Sequence, residues 1–359
     1  MNTYGINIKL KIYGGSHDEK IGMTLDGIPS GEHIDLEALY AFMSRRAPGK
    51  DPYSTKRKEP DKPILLSGLD DNGVTSGERI EAVIYNTNQH SGDYASLVDI
   101  PRPSHADYAA RMKYGESVDL RGGGHFSGRL TAPMCIAGGI CLQILEKRGI
   151  SIAAHISSVG NISDESFDKV SVSSADLTAL RARPFPTISE AAEQKMRAEI
   201  EKARLEGDSV GGTVECAAIG LPVGWGEHMF CGVEGRIAAI IFGIPAVKGL
   251  EFGLGFASSA LLGSQNNDPF ETDGEHIYTK TNNCGGILGG MTNGMPLILR
   301  AALKPTPSIA KEQDSISLSR KENVKLVIGG RHDPCIVPRA VPVLEAATAI
   351  ALVDMMLDK

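Results

Sequence analysis

The segment covering residues 338–357 is apolar almost all the way around a helix. Its large side chains, among them Val341, Leu344, Ile350 and Val353, do not collect on a single stripe. A helix without a polar face has to be covered on every side. The sequence therefore predicts a helix that lies deep in the core of this chain or one that forms a subunit contact.

Hydrophobic periodicity predicts both strands and helices in the rest of the chain. Alternation of apolar and polar residues predicts a strand over 5–12, and the same reasoning predicts strands near 21–25, 64–66, 79–85, 211–219, 297–303 and 323–328. Helices are predicted over 35–46, 127–148 and 189–205. Gly138 and Gly139 lie inside the second helix, where each glycine costs about 1 kcal/mol relative to alanine, so they predict close packing against another backbone. No linker divides the chain, and we expect one α+β domain over residues 1–359.

Charge and composition exclude several classes of protein. A net charge of −7 provides no overall positive field for nucleic acid or an acidic membrane, so an anion has to be bound locally. No run of about 18 apolar residues predicts a membrane span, and no signal-peptide pattern is visible at the start. The 6 cysteines are scattered, without a Cys-x-x-Cys pair. These features predict a soluble cytoplasmic protein with reduced thiols.

Four segments, within 14–17, 102–129, 285–308 and 331–335, concentrate glycine, histidine and arginine. Histidine suits proton transfer near neutral pH, and arginine binds phosphate or carboxylate through two donors. The glycine run 122–124 is expected to present backbone N–H groups to an anion at a helix start. Standard dinucleotide, phosphate-loop and zinc motifs are absent. Each segment taken alone also fits an ordinary turn, so together they predict an anion-binding enzyme and no more.

In this order along the chain, the segments resemble the chorismate synthase family. The resemblance rests on motifs spread over nearly the whole length: Gly15-Ser16-His17, Asp26-Gly27-Ile28-Pro29, Arg45-Arg46, Arg102-Pro103-Ser104-His105-Ala106-Asp107, Lys113-Tyr114-Gly115, Arg121-Gly122-Gly123-Gly124, Ala246-Val247-Lys248-Gly249, Gly263-Ser264-Gln265-Asn266, Gly285-Gly286, Lys304-Pro305-Thr306, Arg331-His332-Asp333-Pro334 and Arg339-Ala340-Val341-Pro342.

The resemblance implies a fold, a reaction and a cofactor. The fold would be a single-domain β-α-β sandwich that forms a homotetramer. The reaction would be trans-1,4-elimination of phosphate from 5-enolpyruvylshikimate 3-phosphate to give chorismate in aromatic amino acid biosynthesis. It would need reduced FMN (FMNH2) without net redox change, while an external flavin reductase as the source of reduced flavin stays open. No metal is implied.

Site residues follow from the same resemblance. The implied catalytic residues are His17, which protonates the departing phosphate or the reduced flavin, His105, which stabilises the anionic flavin, and Asp333, which helps the flavin accept the ring hydrogen. The implied substrate-binding residues are Ser16, Arg46, Arg102, Arg129 and Arg331. The implied cofactor-binding residues are His125, Phe126, Ser127, Pro245, Ala246, Gly289, Lys304, Pro305, Thr306, Pro307, Ser308 and Arg331.

The chain departs from the family's usual pattern at Gly15, Asp18, Ala47, Pro52, Ser104 and His125-Phe126. These departures leave two alternatives open: a flavin or NADPH oxidoreductase, and a non-catalytic relative that kept the scaffold. Cys335 is interpreted as a small packing residue, and His332 either orients Asp333 or is structural. The remaining histidines, His33, His90, His155, His228 and His276, are expected to be structural or exposed.

Overall fold

A computed structural model describes residues 3–49, 61–86, 99–329 and 333–358. The first sheet is antiparallel throughout and has the strand order β1-β2-β3-β5-β4. Its strands are β1 (Thr3–Tyr4), β2 (Lys9–Tyr13), β3 (Lys20–Asp26), β4 (Ile64–Ser67) and β5 (Ile80–Tyr85). One face of this sheet, with Leu10, Ile21, Met23 and Ile80, joins the main hydrophobic core.

The second sheet is also antiparallel, with the order β7-β6-β8-β14-β9. Its strands are β6 (Ser151–Val159), β7 (Ile162–Ser163), β8 (Gly212–Ile219), β9 (Val247–Phe252) and β14 (Leu297–Leu303). Three small hairpins complete the strands: β10 (Phe270–Thr272) with β11 (Ile277–Thr279), β12 (Ile287–Leu288) with β13 (Met291–Thr292), and β15 (Gln313–Ser317) with β16 (Glu322–Leu326).

Two apolar helices lie between the sheets. The helices are α1 (Leu36–Arg46), α2 (Asp107–Tyr114), α3 (Thr131–Glu146), α4 (Ser174–Ala182), α5 (Glu190–Leu205), α6 (Val233–Ile241), α7 (Gly263–Asn266) and α8 (Val337–Met356). Helix α3 contacts β2, β3 and β5 on one side, whereas α8 contacts β6 and β8 on the other, and the two helices pack against each other. The prediction that the C-terminal helix is deeply buried is confirmed, since 17 of its 20 residues are buried within this chain.

The two helices approach closely because glycine stands where they cross. A Cβ atom added to Gly138 would lie 2.2 Å from the Cβ of Ala346, and one added to Gly139 would lie 2.5 Å from Cδ1 of Leu39. The prediction of close packing against another backbone is confirmed for Gly138, which meets the backbone of Ala346, whereas Gly139 packs against side chains of α1. Residues 128–146 are long and apolar enough to cross a membrane by length and composition alone, but 83% of that window is buried inside the protein.

Most predicted elements are present, with one correction at the beginning of the chain. The strand predicted over 5–12 begins only at Lys9. Gly5 has a φ of +105°, and the backbone N–H groups of Ile6 and Ile8 donate to the carboxylate of Asp354 at 3.0 and 2.9 Å. The carboxylate of Asp354 on α8 therefore accepts from backbone N–H groups that would otherwise bind to a neighbouring strand.

Strand β6 was missed because both of its faces are buried. Ile152, Ala154 and Ile156 face the main core, whereas Ala153 belongs to a second cluster under α4. Such a strand shows no alternation between apolar and polar residues. Helices α2, α4 and α6 and strand β9 were not predicted either.

Candidate active site

A cavity of about 580 Å³ lies where the glycine-rich segments meet the second sheet. Its wall contains six cationic side chains among the described residues: Arg46, Arg102, Arg129, Lys248, Lys304 and Arg339. They come from α1, the loop before α2, the turn before α3, β9, the end of β14, and α8. This concentration of positive charge lies inside a chain whose net charge is −7.

The glycine run at residues 122–124 lies between two predicted catalytic histidines. All three glycines have positive φ values, of +56°, +90° and +52°. A Cβ on Gly122 would lie 2.3 Å from Cε1 of His17 and 2.8 Å from Oγ of Ser16, and one on Gly123 would lie 3.3 Å from Nε2 of His105. Glycine is required here because the two rings occupy the space of a side chain.

This arrangement corrects one expectation and shows where two predicted site residues lie. Helix α3 begins at Thr131, so the glycine run does not present its N–H groups at a helix start as predicted. His17 and Ser16 are buried behind Gly122, which lines the cavity while they do not. The backbone N–H of Ser16 donates to the carbonyl of Gly124 at 3.1 Å, which fixes the first segment against the glycine run.

His105 lines the cavity and is held by Asp107. Nδ1 of His105 lies 2.6 Å from Oδ1 of Asp107 and 3.0 Å from Nη2 of Arg102. Because an ionised carboxylate only accepts hydrogen bonds and Asp107 is the nearer partner, we assign the proton to Nδ1, which leaves Nε2 of the neutral ring as the acceptor. Arg102 donates to both oxygens of Asp107 at 2.7 Å and to Oγ of Ser308 at 3.3 Å. Burial alone would raise the pKa of Asp107, but the hydrogen bonds from Arg102 and His105 lower it far below its usual value.

Arg46 and Arg129 share a buried partner that sequence reasoning missed. Both form ion pairs with Asp61, whose side chain is 0% exposed. Burial by itself would raise the pKa of Asp61, yet the two arginines outweigh it and hold the pKa below its usual value. Asp61 therefore stays ionised at neutral pH.

Two residues in the wall adopt the left-handed backbone region without being glycine. Ser104 has a φ of +59° and Ala246 a φ of +75°. Lys304 connects both, since its Nζ donates to the carbonyl of Ser104 and its backbone N–H donates to the carbonyl of Ala246 at 2.9 Å. Burial, and then the neighbouring Lys248, lower the pKa of Lys304. Local strain of this kind collects at binding sites.

Asp333 also lines the cavity and is bound by a residue that we did not predict for the site. Arg339 donates from Nη1 to Oδ2 of Asp333 at 2.5 Å and from Nε to the carbonyl of Arg46 at 3.2 Å. Arg339 and Lys248 both belong to motifs on which the resemblance to the family rests, and this membership could have predicted them as site residues.

The structure thus brings most of the predicted site residues to one wall. His105, Asp333, Arg46, Arg102, Arg129, His125, Phe126, Ser127, Pro245, Ala246, Lys304, Thr306, Pro307 and Ser308 line the cavity. Pro305 does not line it, and Gly289 lies apart in the turn between β12 and β13. Arg331, His332, His90 and Pro52 lie outside the described residues.

The histidines expected to be structural or exposed are either buried or exposed as predicted where the structure describes them. His155 is fully buried between Asp164 and Glu215, His33 is exposed, and the His228 and His276 side chains are 76% and 70% exposed. Cys335 is a core residue. No group of residues that could hold a metal ion occurs in the part of the chain that the structure describes.

A mixed helix and sheet fold that encloses a cation-rich cavity, with a histidine and a carboxylate on its wall, is typical of an enzyme that binds a small anionic molecule. The sequence pattern of the chorismate synthase family matches residues 8–357. The chain belongs to the chorismate synthase family, a family of lyases.

Curated relatives support the assignment over nearly the full length. Chorismate synthase of Lancefieldella parvula is 44% identical over 99% of this chain and 96% of its own length. The enzyme of Thermococcus gammatolerans is 43% identical over 98% of this chain and 96% of its own length. A solved crystal structure of a chorismate synthase is similar with a TM-score of 0.74 and 28% identity, and the match covers 98% of this chain and 92% of that one.

Proposed function

We propose that this chain converts 5-enolpyruvylshikimate 3-phosphate to chorismate by trans-1,4-elimination of phosphate. The observation that carries the proposal is the cavity itself: six cationic side chains surround a space that also contains His105 and Asp333. The substrate carries a phosphate and two carboxylates, and arginine binds such groups through paired donors. Arg46, Arg102 and Arg129, together with Arg331 and Ser16, are proposed to bind it; Ser16 lies behind Gly122.

Reduced FMN is the proposed cofactor, and the residues present fit a flavin. One part of the cavity is apolar, with Phe242, Ile244, Pro245 and Val247, which suits a flat ring system. The segment 304–308 lies beside it with Lys304, Thr306 and Ser308 on the wall, where a phosphate-bearing chain finds a cation and hydroxyls. Reduced flavin would supply electron density to the elimination and recover it, so that no net redox change occurs.

Side chains of this protein would then transfer protons and stabilise charge during the reaction. His105 presents Nε2 towards Gly123, with Nδ1 fixed by Asp107, so this ring can take up or stabilise charge without turning. Asp333 is oriented by Arg339 and serves as the proposed carboxylate that assists removal of the ring hydrogen. His17 is the proposed proton donor; its ring packs against Gly122 of the cavity wall, where an added Cβ would lie 2.3 Å from Cε1.

The remaining cofactor contacts are proposed from the wall. His125, Phe126 and Ser127 would bind the flavin together with Ala246. Nδ1 of His125 lies 2.9 Å from the carbonyl of Gly14, which fixes its ring against the first segment. Gly289 and Pro305 are also proposed to contact the flavin, although neither residue lines this cavity.

We further propose a single-domain sandwich that assembles as a soluble cytoplasmic homotetramer. One hydrophobic cluster runs through both sheets and the helices between them, which supports one domain. Large apolar side chains such as Phe230, Phe256, Leu262 and Ile277 are 88%, 83%, 69% and 74% exposed, which supports burial against further copies. We propose an external flavin reductase as a source of the reduced FMN.

An anaerobic assay with chemically reduced FMN tests the function. Purified protein should release phosphate from 5-enolpyruvylshikimate 3-phosphate and form chorismate, measured by its absorbance. Substrate binding without phosphate release would instead support a non-catalytic relative. NADPH oxidation by the protein alone, without phosphate release, would support an oxidoreductase.

A further inference from the structure

Asp61 lies behind the cavity wall and joins two arginines that line it. Its Oδ2 accepts from Nη1 of Arg46, and its Oδ1 accepts from Nη1 of Arg129. The three side chains are almost completely buried, with exposures of 0%, 3% and 5% for Asp61, Arg46 and Arg129. Asp61 itself is not part of the wall.

We propose that Asp61 is a positioning residue, which holds Arg46 and Arg129 as one preformed pair for the phosphate-bearing substrate. This inference rests on the proposed function for the identity of the substrate. It does not depend on the flavin, because none of these three side chains belongs to the proposed flavin contacts.

The remaining nitrogens of Arg46 and Arg129 have partners of their own, which explains how the single carboxylate of Asp61 can set the position of one arginine relative to the other. Arg46 also donates from Nε to Oγ1 of Thr131 at 3.1 Å and from Nη2 to the carbonyl of Gly128 at 3.3 Å. Arg129 donates from Nε to Oδ1 of Asn86 at 3.1 Å. Neutral partners therefore hold part of each guanidinium group, and among the described residues Asp61 is the side chain that accepts from both. A preorganised pair loses less conformational entropy when it binds an anion.

The backbone at Asp61 indicates that the carboxylate is held there at a cost. Its φ is +49°, a region that a residue with a side chain rarely adopts, although aspartate and asparagine tolerate it better than most residues. The same observation provides a clean variant. Asp61→Asn keeps the shape and the tolerated backbone conformation, but its amide can accept through one oxygen only.

Positioning and charge neutralisation predict opposite results for this variant. With Asp61 ionised, the three side chains carry a net charge of +1; without the carboxylate they carry +2. If Asp61 only weakened the field in the cavity, Asp61→Asn would bind the anionic substrate more tightly. If Asp61 positions the pair, the two guanidiniums move apart and the substrate binds more weakly.

The experiment measures steady-state kinetics and substrate affinity by calorimetry for wild type and Asp61→Asn under anaerobic conditions. We expect the KM and the substrate dissociation constant to rise at least about tenfold, the size of coupling seen within one ion-pair network, while the affinity for reduced FMN stays within about twofold of wild type. The control is Glu201→Gln, which removes an exposed carboxylate paired with Arg204 on α5 and should change neither constant.

A double variant keeps the inference testable if Asp61→Asn alone does not fold. Arg46→Gln removes one member of the pair, so a further Asp61→Asn change should alter the KM by less than about threefold, since coupled residues are not additive. A further tenfold loss in that background, or tighter substrate binding by Asp61→Asn, would overturn the inference. Failure of wild type to release phosphate would contradict the proposed function alone, because the binding comparison uses substrate, or inorganic phosphate, without turnover.

Discussion

His105 owes its fixed orientation to two neighbours in sequence. Asp107 binds Nδ1, and Arg102 holds Asp107 through two hydrogen bonds, so a segment of six residues contains the ring, its acceptor and the cation that keeps the acceptor ionised. The lowered pKa of Asp107 ensures that it remains an acceptor at any pH at which the enzyme would work. Nε2 therefore faces Gly123 as the reactive nitrogen.

Replacing this ring should abolish turnover without unfolding the protein. We expect His105→Ala to lower kcat by about 100- to 10,000-fold, the range that one proton-transfer or charge-stabilising group contributes. The thermal midpoint should change little because His105 borders the cavity and not the core. Phosphate release and thermal unfolding check the two parts, with His276→Ala, on an exposed histidine, as the matched control. Unchanged phosphate release would remove His105 from the mechanism.

Single residues also explain one departure from the family pattern. Ser104 is one of the positions at which the chain departs from the family's usual pattern, and its φ of +59° lies in the region that favours glycine. The carbonyl of Ser104 accepts from Lys304, which stabilises the conformation that the serine adopts at a cost. Sequence comparison could identify the departure, but the backbone angle and the lysine contact required coordinates.

At the scale of elements, the contact between α3 and α8 determines how closely the two layers approach. Gly138→Ala places a Cβ 2.2 Å from the Cβ and 2.4 Å from the Cα of Ala346, which forces the helices apart. We expect a loss of about 1–3 kcal/mol in the free energy of unfolding, as overpacked cores show. Urea denaturation measures it.

Two variants serve as controls for that prediction. Gly263→Ala adds a methyl group on α7 with no atom within 4 Å and should be neutral. Ala346→Gly should not rescue Gly138→Ala, because the Cα of residue 346 still lies too close. Equal stability of the wild type and Gly138→Ala would contradict the packing argument.

Elements with a repeating pattern could be predicted from the sequence, and contacts between distant segments could not. Helix α1 has its N-cap at Asp35 and ends at Arg46, as expected, because local signals determine both ends. Most of the site residues quoted from motifs line one cavity. Asp61 was missed because its role depends on Arg129, 68 residues away, and on burial that no local pattern reveals. Gly289 was expected in the site, but it lies in a separate turn.

At the scale of the whole molecule, buried ionised groups determine how the free energy of unfolding depends on pH. Burial lowers the pKa of His155, but hydrogen bonds to Asp164 and Glu215 outweigh it and raise the pKa above its ordinary value of 6.5. A raised folded pKa means that the contribution of His155 is complete below 6.5 and is lost as pH rises through the folded value. Asp61 and Asp107 have lowered pKa values, so their contribution is present above about 3.9 and is lost as pH falls.

The contribution of His155 to stability can be measured by comparing the free energy of unfolding of wild type and His155→Gln as a function of pH. The wild type should lose free energy of unfolding relative to this variant as pH rises above about 6.5, by about 1.4 kcal/mol for each unit by which the pKa is raised. On the acid side, Asp61 and Asp107 contribute equally in both proteins, and a difference is expected only from Asp164, whose pKa is lowered, against the effect of burial, in part by its hydrogen bond to His155. Curves that stay parallel through the alkaline range would show that His155 is neutral in the folded protein.

Helix α8 fills the space between the two sheets, and its Asp354 also binds the backbone that leads into β2. Without α8, the inner face of β6 and β8 and the facing side of α3 would be open to water, and the backbone leading into β2 would lose its carboxylate acceptor. One helix thus joins segments that are more than 300 residues apart in sequence. We therefore expect the two sheets to unfold together, in a single cooperative transition.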